Sequence, residues 1–213
     1  MASNTKAELV EKTYELLKTL PPSEIKIRMV ADACSCSNAT VYRHFKDLDD
    51  LVCFASVRYL EDYINKIQKM LSELQDPMDF LVTSWKVFAE IAFRNIDVYL
   101  EMFWGRYKDR LGDAIFDYYQ EFTKKWNNMD GLAASIFFNN DMDQRNYILV
   151  RRASAMGYFA YQDVQIISDL QCYLIHGSLA AYQSCYRQPG KAEEGIAHFS
   201  QRLDSLCSHY RIK

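Results

Sequence analysis

Between residues 37 and 46 the chain reads Ser-Asn-Ala-Thr-Val-Tyr-Arg-His-Phe-Lys. Several of those side chains suit the edge of a base pair. Asn38 can bridge an adenine, Thr40 can meet a thymine methyl or a phosphate, and Arg43 can fork onto a guanine, a contact worth about 1 to 3 kcal/mol of discrimination. Charge points the same way. Residues 25 to 46 hold Lys26, Arg28, Arg43 and Lys46 against Asp32 alone, a balance of +3, whereas residues 47 to 213 carry eighteen positive and twenty-three negative side chains, a balance of −5. A cationic end on an acidic body is the distribution expected of a polyanion-binding head carried by a body that leaves polyanions alone. The formal charge of the whole chain, −3, hides it.

Those residues need short helices to hold them. Thr5 and Glu8 have capping-box spacing, and Leu9, Thr13, Leu16, Leu17 and Leu20 recur on one face until Pro21 and Pro22 end a first helix. Ile27 to Ala33 then predicts a compact helix with Ile27, Val30 and Ala31 inward. Ser35 to Asn38 reads as a turn, because short side chains that bond their own backbone compete with helix there. Ser37 is the expected N-cap of a short helix over Ala39 to Phe45, in which Val41 points inward. A long helix is expected to open at Asp47, where Asp49 and Asp50 complement the positive end of its dipole, and to run towards Leu74. Three short helices with a tight turn before the third have the layout of a helix-turn-helix reader.

The stretch resembles the TetR-type bacterial repressors. Their signature is a Val-Arg-x-Ile-Ala helix, a Gly-Val-Ser turn and Tyr-x-His-Phe before a long fourth helix. The matching residues are Ile27-Arg28-Met29-Val30-Ala31, Cys34-Ser35-Cys36-Ser37 and Thr40-Val41-Tyr42-Arg43-His44-Phe45, followed by Leu51. Similarity at motif level covers roughly residues 8 to 56. The resemblance implies that Tyr42 and His44 touch the DNA backbone, that Ser37, Asn38, Thr40 and Arg43 face the major groove, and that Phe45 fixes the short helix. Two positions depart from it. Ser35 stands where a turn glycine is usual, so either a left-handed backbone there costs about 1 kcal/mol or the turn is shaped differently. Leu48 stands where a phosphate-binding lysine is usual, leaving Lys46 or Lys26 to replace that contact.

The expected fold is all-α: a helix-turn-helix head over residues 1–47 and a larger helical domain over 48–213 that binds an effector and dimerises. Loops are expected at Asn127 to Gly131 and Asn139 to Asp143. No stretch alternates long enough to predict a strand. Ile167, Leu170, Leu174, Gly177 and Ala181 step by three and four, as do Ile196, Phe199, Leu203, Leu206 and Tyr210, and Gln188-Pro189-Gly190 breaks the two helices into a hairpin. These are candidate dimer seams, the first with small residues that admit a second backbone; the alternative is that both cover the chain's own core. The resemblance also implies a small-molecule site in the body. Its candidate lining is Trp85, Phe88, Phe103, Trp104, Tyr107, Tyr119, Phe122, Met156 and Tyr158, which would suit an apolar or aromatic effector.

Other chemistry finds little support in the sequence. There is no Gly-x-Ser-x-Gly, no His-Glu-x-x-His, no Gly-rich phosphate loop and no paired Glu-x-x-His, so an enzyme is not expected. Six cysteines lie apart without zinc-site spacing, and neither a metal nor a cofactor is expected, although Cys172 and His176 stand one helical turn apart. The longest apolar stretch, Leu132 to Phe138, is far short of a membrane span, and the first residues carry no apolar leader, so a cytoplasmic protein is expected. The composite expectation is a homodimeric, ligand-responsive repressor of a near-palindromic operator, released by its effector. Two other readings stand beside it: a redox regulator using Cys34 and Cys36, and an adaptor whose basic head binds an acidic protein.

Overall fold

The computed structural model describes residues 5–122 and 141–212, which fold into helices joined by short turns. They are α1 (Thr5–Leu17), α2 (Ile27–Ala33), α3 (Asn38–His44), α4 (Leu48–Ser56), α5 (Glu61–Glu73), α6 (Pro77–Ala92), α7 (Ile96–Phe103), α8 (Leu111–Phe122), α9 (Met142–Ala155), α10 (Val164–Tyr182) and α11 (Lys191–Tyr210). Among the described residues there is no strand, only an isolated bridge between Phe159 and Arg211. The expected loop at Asn127 to Gly131 and the start of that at Asn139 lie outside the described residues. The remainder of the second is helical from Met142, with Asp141 as N-cap accepting from Asp143 N.

The chain forms two compact units, Met1–Leu60 with Asp97–Asn128 and Glu61–Ile96 with Met129–Lys213. The expected division at residue 47 falls inside the first of these, because α4 packs on α1 and on α8. Its core takes Leu9 and Leu17 from α1, Val30 from α2, Val41 from α3, Leu51 from α4 and Ile115 from α8, all buried. The expected single helix from Asp47 towards Leu74 is two, α4 and α5, joined by a 3-10 turn over Val57–Leu60. No proline or glycine causes the break. The Ser56 hydroxyl donates to Val52 O (2.7 Å), a back-bond that bends helices, and the Tyr59 carbonyl accepts the Tyr99 hydroxyl (2.9 Å).

In the second unit α10 and α11 form the expected hairpin, turned at Gly190, whose φ of 79° suits a residue without Cβ. Gly195 is also required, since a Cβ there would lie 2.4 Å from the Phe93 ring. A buried polar ladder joins four helices. Trp85 Nε1 on α6 donates to Asn146 Oδ1 (2.9 Å) on α9 and Gln171 Oε1 (3.2 Å) on α10. Asn146 Nδ2 donates to Gln171 Oε1 (2.9 Å) and Ser168 O (3.1 Å), and Gln171 Nε2 reaches Cys207 Sγ on α11 at 3.5 Å.

The turn after α2 is closed in the Schellman manner. Cys36 N donates to Ala31 O (2.9 Å), Ser35 N donates to Asp32 O (3.1 Å), and Ser35 itself sits at φ 50°. The left-handed turn is therefore present with a serine at its strained position. Ser35→Gly should raise stability by about 1 kcal/mol, read as a higher urea midpoint with an unchanged slope. An unchanged or lower midpoint would mean that the serine is not strained.

Candidate nucleic-acid interface

The candidate reader is α2, the turn at Ser35 and α3. Ser37 caps α3 as its spacing predicts: Thr40 N donates to Ser37 Oγ at 3.2 Å, and the Ser37 backbone is extended. The Ser37 and Thr40 hydroxyls also share a hydrogen bond at 3.1 Å, and Arg43 Nη2 donates to Thr40 Oγ1 at 3.1 Å. Thr40 is half-buried, so its part in the site is to orient Arg43 as much as to offer its own hydroxyl. Beneath these, Val41 and Phe45 are 1% and 4% exposed. Phe45 ends the helix as C-cap and meets Phe54 of α4 edge-on at 5.6 Å.

The remaining expected contacts stand in solvent. Lys26, Arg28, Ser37, Asn38, Tyr42, Arg43, His44 and Lys46 are exposed, Tyr42 at 57% despite its large ring. Arg28 is held only loosely, 3.8 Å from Asp32. An exposed tyrosine between two exposed cationic or hydrogen-bonding residues, on a helix whose opposite face is buried, is a surface that covers nothing of its own chain.

Immediately beyond the reader stands a group that sequence reasoning missed. Asp47 caps α4 by accepting from Asp50 N (2.7 Å) and is gripped by Arg110, whose Nη1 and Nη2 lie 2.9 and 3.3 Å from its two oxygens. The Arg110 guanidinium holds the Asp47 carboxyl below the usual carboxylate range. Arg106 Nη1 lies 3.2 Å from Asp49 Oδ1. No local spacing could reveal pairs separated by 63 and 57 residues.

The effector set is not brought into one unit. Phe103, Tyr107 and Tyr119 are buried in the first unit, with Trp104 and Phe122 half-buried there, whereas Trp85, Phe88 and Tyr158 belong to the second. Phe122 meets Phe54 edge-on (5.9 Å), within the unit that carries α3. Met156, also in the second unit, is 56% exposed beyond the end of α9, which removes it from any buried lining. Beside these apolar side chains, Asn146, Gln171 and Arg145 are buried polar groups of the second unit. Burial lowers the Arg145 guanidinium to about 10, still charged at neutral pH.

The candidate dimer residues divide between the chain's interior and its surface. Ile167, Phe199 and Leu203 are wholly buried within the chain, so they are core rather than interface. Leu170, Leu174, Ile196 and Leu206 are half-buried, and Gly177 and Ala181 exposed. The outward stripe of α10 includes Ile166 (45% exposed) and Tyr173 (67%), which the sequence reading passed over because Ile166 and Ile167 fit the same heptad equally well.

These elements match solved structures. A TetR transcription regulator from Haloarcula marismortui aligns at TM-score 0.64, 17% identity and 98% and 99% coverage of this chain and that one. The chain has the TetR-type fold. A candidate transcriptional regulator from Saccharomonospora viridis, solved with choline, aligns at TM-score 0.63, 18% identity and 99% of both chains. Thermus thermophilus FadR, a TetR-family repressor solved with lauroyl-CoA, aligns at 0.56 and 13% identity over 93% and 92%. No family profile and no curated protein sequence matches the chain. No described helix is long and apolar enough to cross a membrane.

Cys34, one of the two thiols at the turn, is half-buried. Burial pushes the Cys34 thiol up to about 11. Cys172 is buried against Met142 O while His176 is exposed, and among the described residues no three His, Cys, Asp or Glu side chains gather as metal ligands. At pH 7 Cys34 should alkylate roughly tenfold more slowly than free cysteine, because a hundredfold loss of thiolate is partly offset by greater nucleophilicity. Modification at position 34 faster than free cysteine, followed by mass spectrometry, would bring the redox reading back.

Proposed function

We propose that this chain is a ligand-responsive transcriptional regulator, a repressor that binds a near-palindromic operator as a homodimer and is released by a small effector. One observation carries the reading. Asn38, Tyr42, Arg43 and His44 stand exposed on a capped helix whose Val41 and Phe45 are buried, next to exposed Lys46. Residues 1–47 would supply the reading surface, with Tyr42, His44 and Lys46 on phosphates and Ser37, Asn38, Thr40 and Arg43 on base edges. Lys26 and Arg28 add charge at the start of α2. Two copies would place their readers about 34 to 36 Å apart, or a multiple of that.

The outward stripe of α10 supports pairing: Ile166, Leu170, Tyr173 and Leu174 give way to Gly177 and Ala181, and nothing lies within 4 Å of where a Gly177 Cβ would stand. A second backbone could approach there. The effector belongs to the body. Trp85 and Phe88 remain its candidate aromatic wall, with Asn146 and Gln171 as amide partners, which suits a small apolar or aromatic molecule carrying one hydrogen-bonding group. Choline and lauroyl-CoA, bound by two proteins of this fold, are chemically so unlike that the fold does not dictate the ligand.

Selection of bound duplexes from a random pool tests the reading directly and yields the operator. Against that operator, Tyr42→Ala should weaken binding with little sequence dependence and leave the salt slope unchanged, since its hydroxyl carries no charge, whereas Arg43→Ala should relax preference at one position of each half-site by about 1 to 3 kcal/mol. Equal effects of both variants on operator and random DNA would contradict this division. Ala181→Glu or Leu174→Glu should give monomers in sedimentation with much weaker operator binding; dimers of unchanged mass would remove the α10 stripe as the interface.

A further inference from the structure

We infer that Arg106 and Arg110, on the turn between α7 and α8, are positioning residues for the reader: they hold the start of α4 and through it set the pose of α3 and Lys46. This rests on the DNA-binding reading above. Only Phe45 and Lys46 separate the last residue of α3 from Asp47, the cap of α4. Lys46 N is itself tied to Asp50 Oδ2 at 3.1 Å. So short a link carries little slack, and wherever Asp47 is held, Lys46 and the end of α3 follow.

Asp47 is held by the two-pronged Arg110 contact and Asp49 by Arg106. The turn that presents these arginines is itself fixed. Glu101 Oε2 accepts from Arg106 N (3.0 Å), an approach that needs Gly105, since a Cβ there would fall 2.4 Å from the same carboxylate. The far end of α8 grips the other side of the link. Lys6 Nζ lies over the rings of Phe45 (5.5 Å) and Phe54 (4.8 Å) and pairs with Glu121, while Phe54 packs against Tyr118 (5.4 Å) and Phe122 (5.9 Å). The two grips sit at opposite ends of a helix about 18 Å long, which makes α8 a strut alongside the reader.

Magnitudes favour position over stability. The Asp47–Arg110 side chains are each 40% exposed, and the Asp49–Arg106 pair 39% and 47%. Pairs so exposed add only about 0.2 to 1 kcal/mol to folding. Recognition of a duplex is more demanding, because contacts must be held to within about 0.5 Å. The arginines also neutralise two carboxylates next to a surface meant for phosphates, beside Leu48, which brings no charge of its own.

Full-length Arg110→Gln and Arg106→Gln test the assignment, with Lys108→Gln as a control that removes the same charge from the same turn. Expected are an unchanged far-UV spectrum, a small shift in Tm, about tenfold weaker operator binding for each arginine variant, and an unaltered slope of log K against log salt. Arg110→Lys should recover part of the loss. The inference is overturned if operator affinity is unchanged, if Lys108→Gln costs as much, or if the slope falls by about one, which would make the arginines direct phosphate contacts. Wild-type protein that binds no duplex even at low salt would overturn the DNA reading and this role with it. Wild-type binding with unaffected variants would overturn this role alone.

Discussion

A helix of seven residues cannot keep its shape in water, since isolated helices shorter than about 12 to 15 residues are marginal. Everything that α3 presents to solvent therefore depends on what holds it from beneath. Val41 and Phe45 are buried, Ser37 closes the first turn, and the exposed side is left free to carry residues chosen for something other than folding. The same dependence explains why α3 belongs to a larger compact unit than the helix-turn-helix segment. Phe45 meets Phe54, Phe54 meets Tyr118 and Phe122, and the reader becomes continuous with α8 through rings rather than through sequence.

The second unit solves a different problem. Helices joined only by apolar contacts can slide by a turn at modest cost, whereas buried amides cannot. Each hydrogen bond of the Trp85, Asn146 and Gln171 ladder adds about 1 kcal/mol net, but breaking one strands a buried polar group at about 1 to 3 kcal/mol. The ladder therefore penalises every register of α6, α9 and α10 except the one observed. A polar centre with aromatic neighbours, Phe88 at 5.7 Å and Phe199 at 6.3 Å from the Trp85 ring, also differs from the purely greasy interior that composition suggests.

How much was legible in the sequence depends on the range of the interactions. The Ser37 cap, the inward Val41 and the ends of α2 and α3 were readable to within a residue, because their causes lie within one helical turn. The α10–α11 hairpin was readable from Pro189 and Gly190. The break between α4 and α5 was not, since no proline or glycine marks it and one of the contacts at the turn, from Tyr99, comes from 40 residues away. Arg106 and Arg110 looked like ordinary surface cations for the same reason. Asn146 and Gln171 carry the side chains of a solvated face, and only the approach of Trp85 shows that they are interior. The α10 stripe failed on degeneracy: with isoleucine at both 166 and 167, periodicity leaves the outward register undecided.

A regulator must hold a second arrangement within reach, and a ligand that binds both arrangements equally shifts nothing. Chain connectivity limits where such a change can be accommodated. One crossing of the chain between the compact units lies in the first turn of α7. Another follows the Val57–Leu60 turn, where the Tyr59 carbonyl accepts the Tyr99 hydroxyl. Making or breaking one such hydrogen bond is a matter of about 1 kcal/mol net, several-fold in a population. That is small beside the folding energy of a domain and comparable with the couplings that regulate binding. The Val57–Leu60 turn directly follows α4, the helix whose first turn the arginines hold.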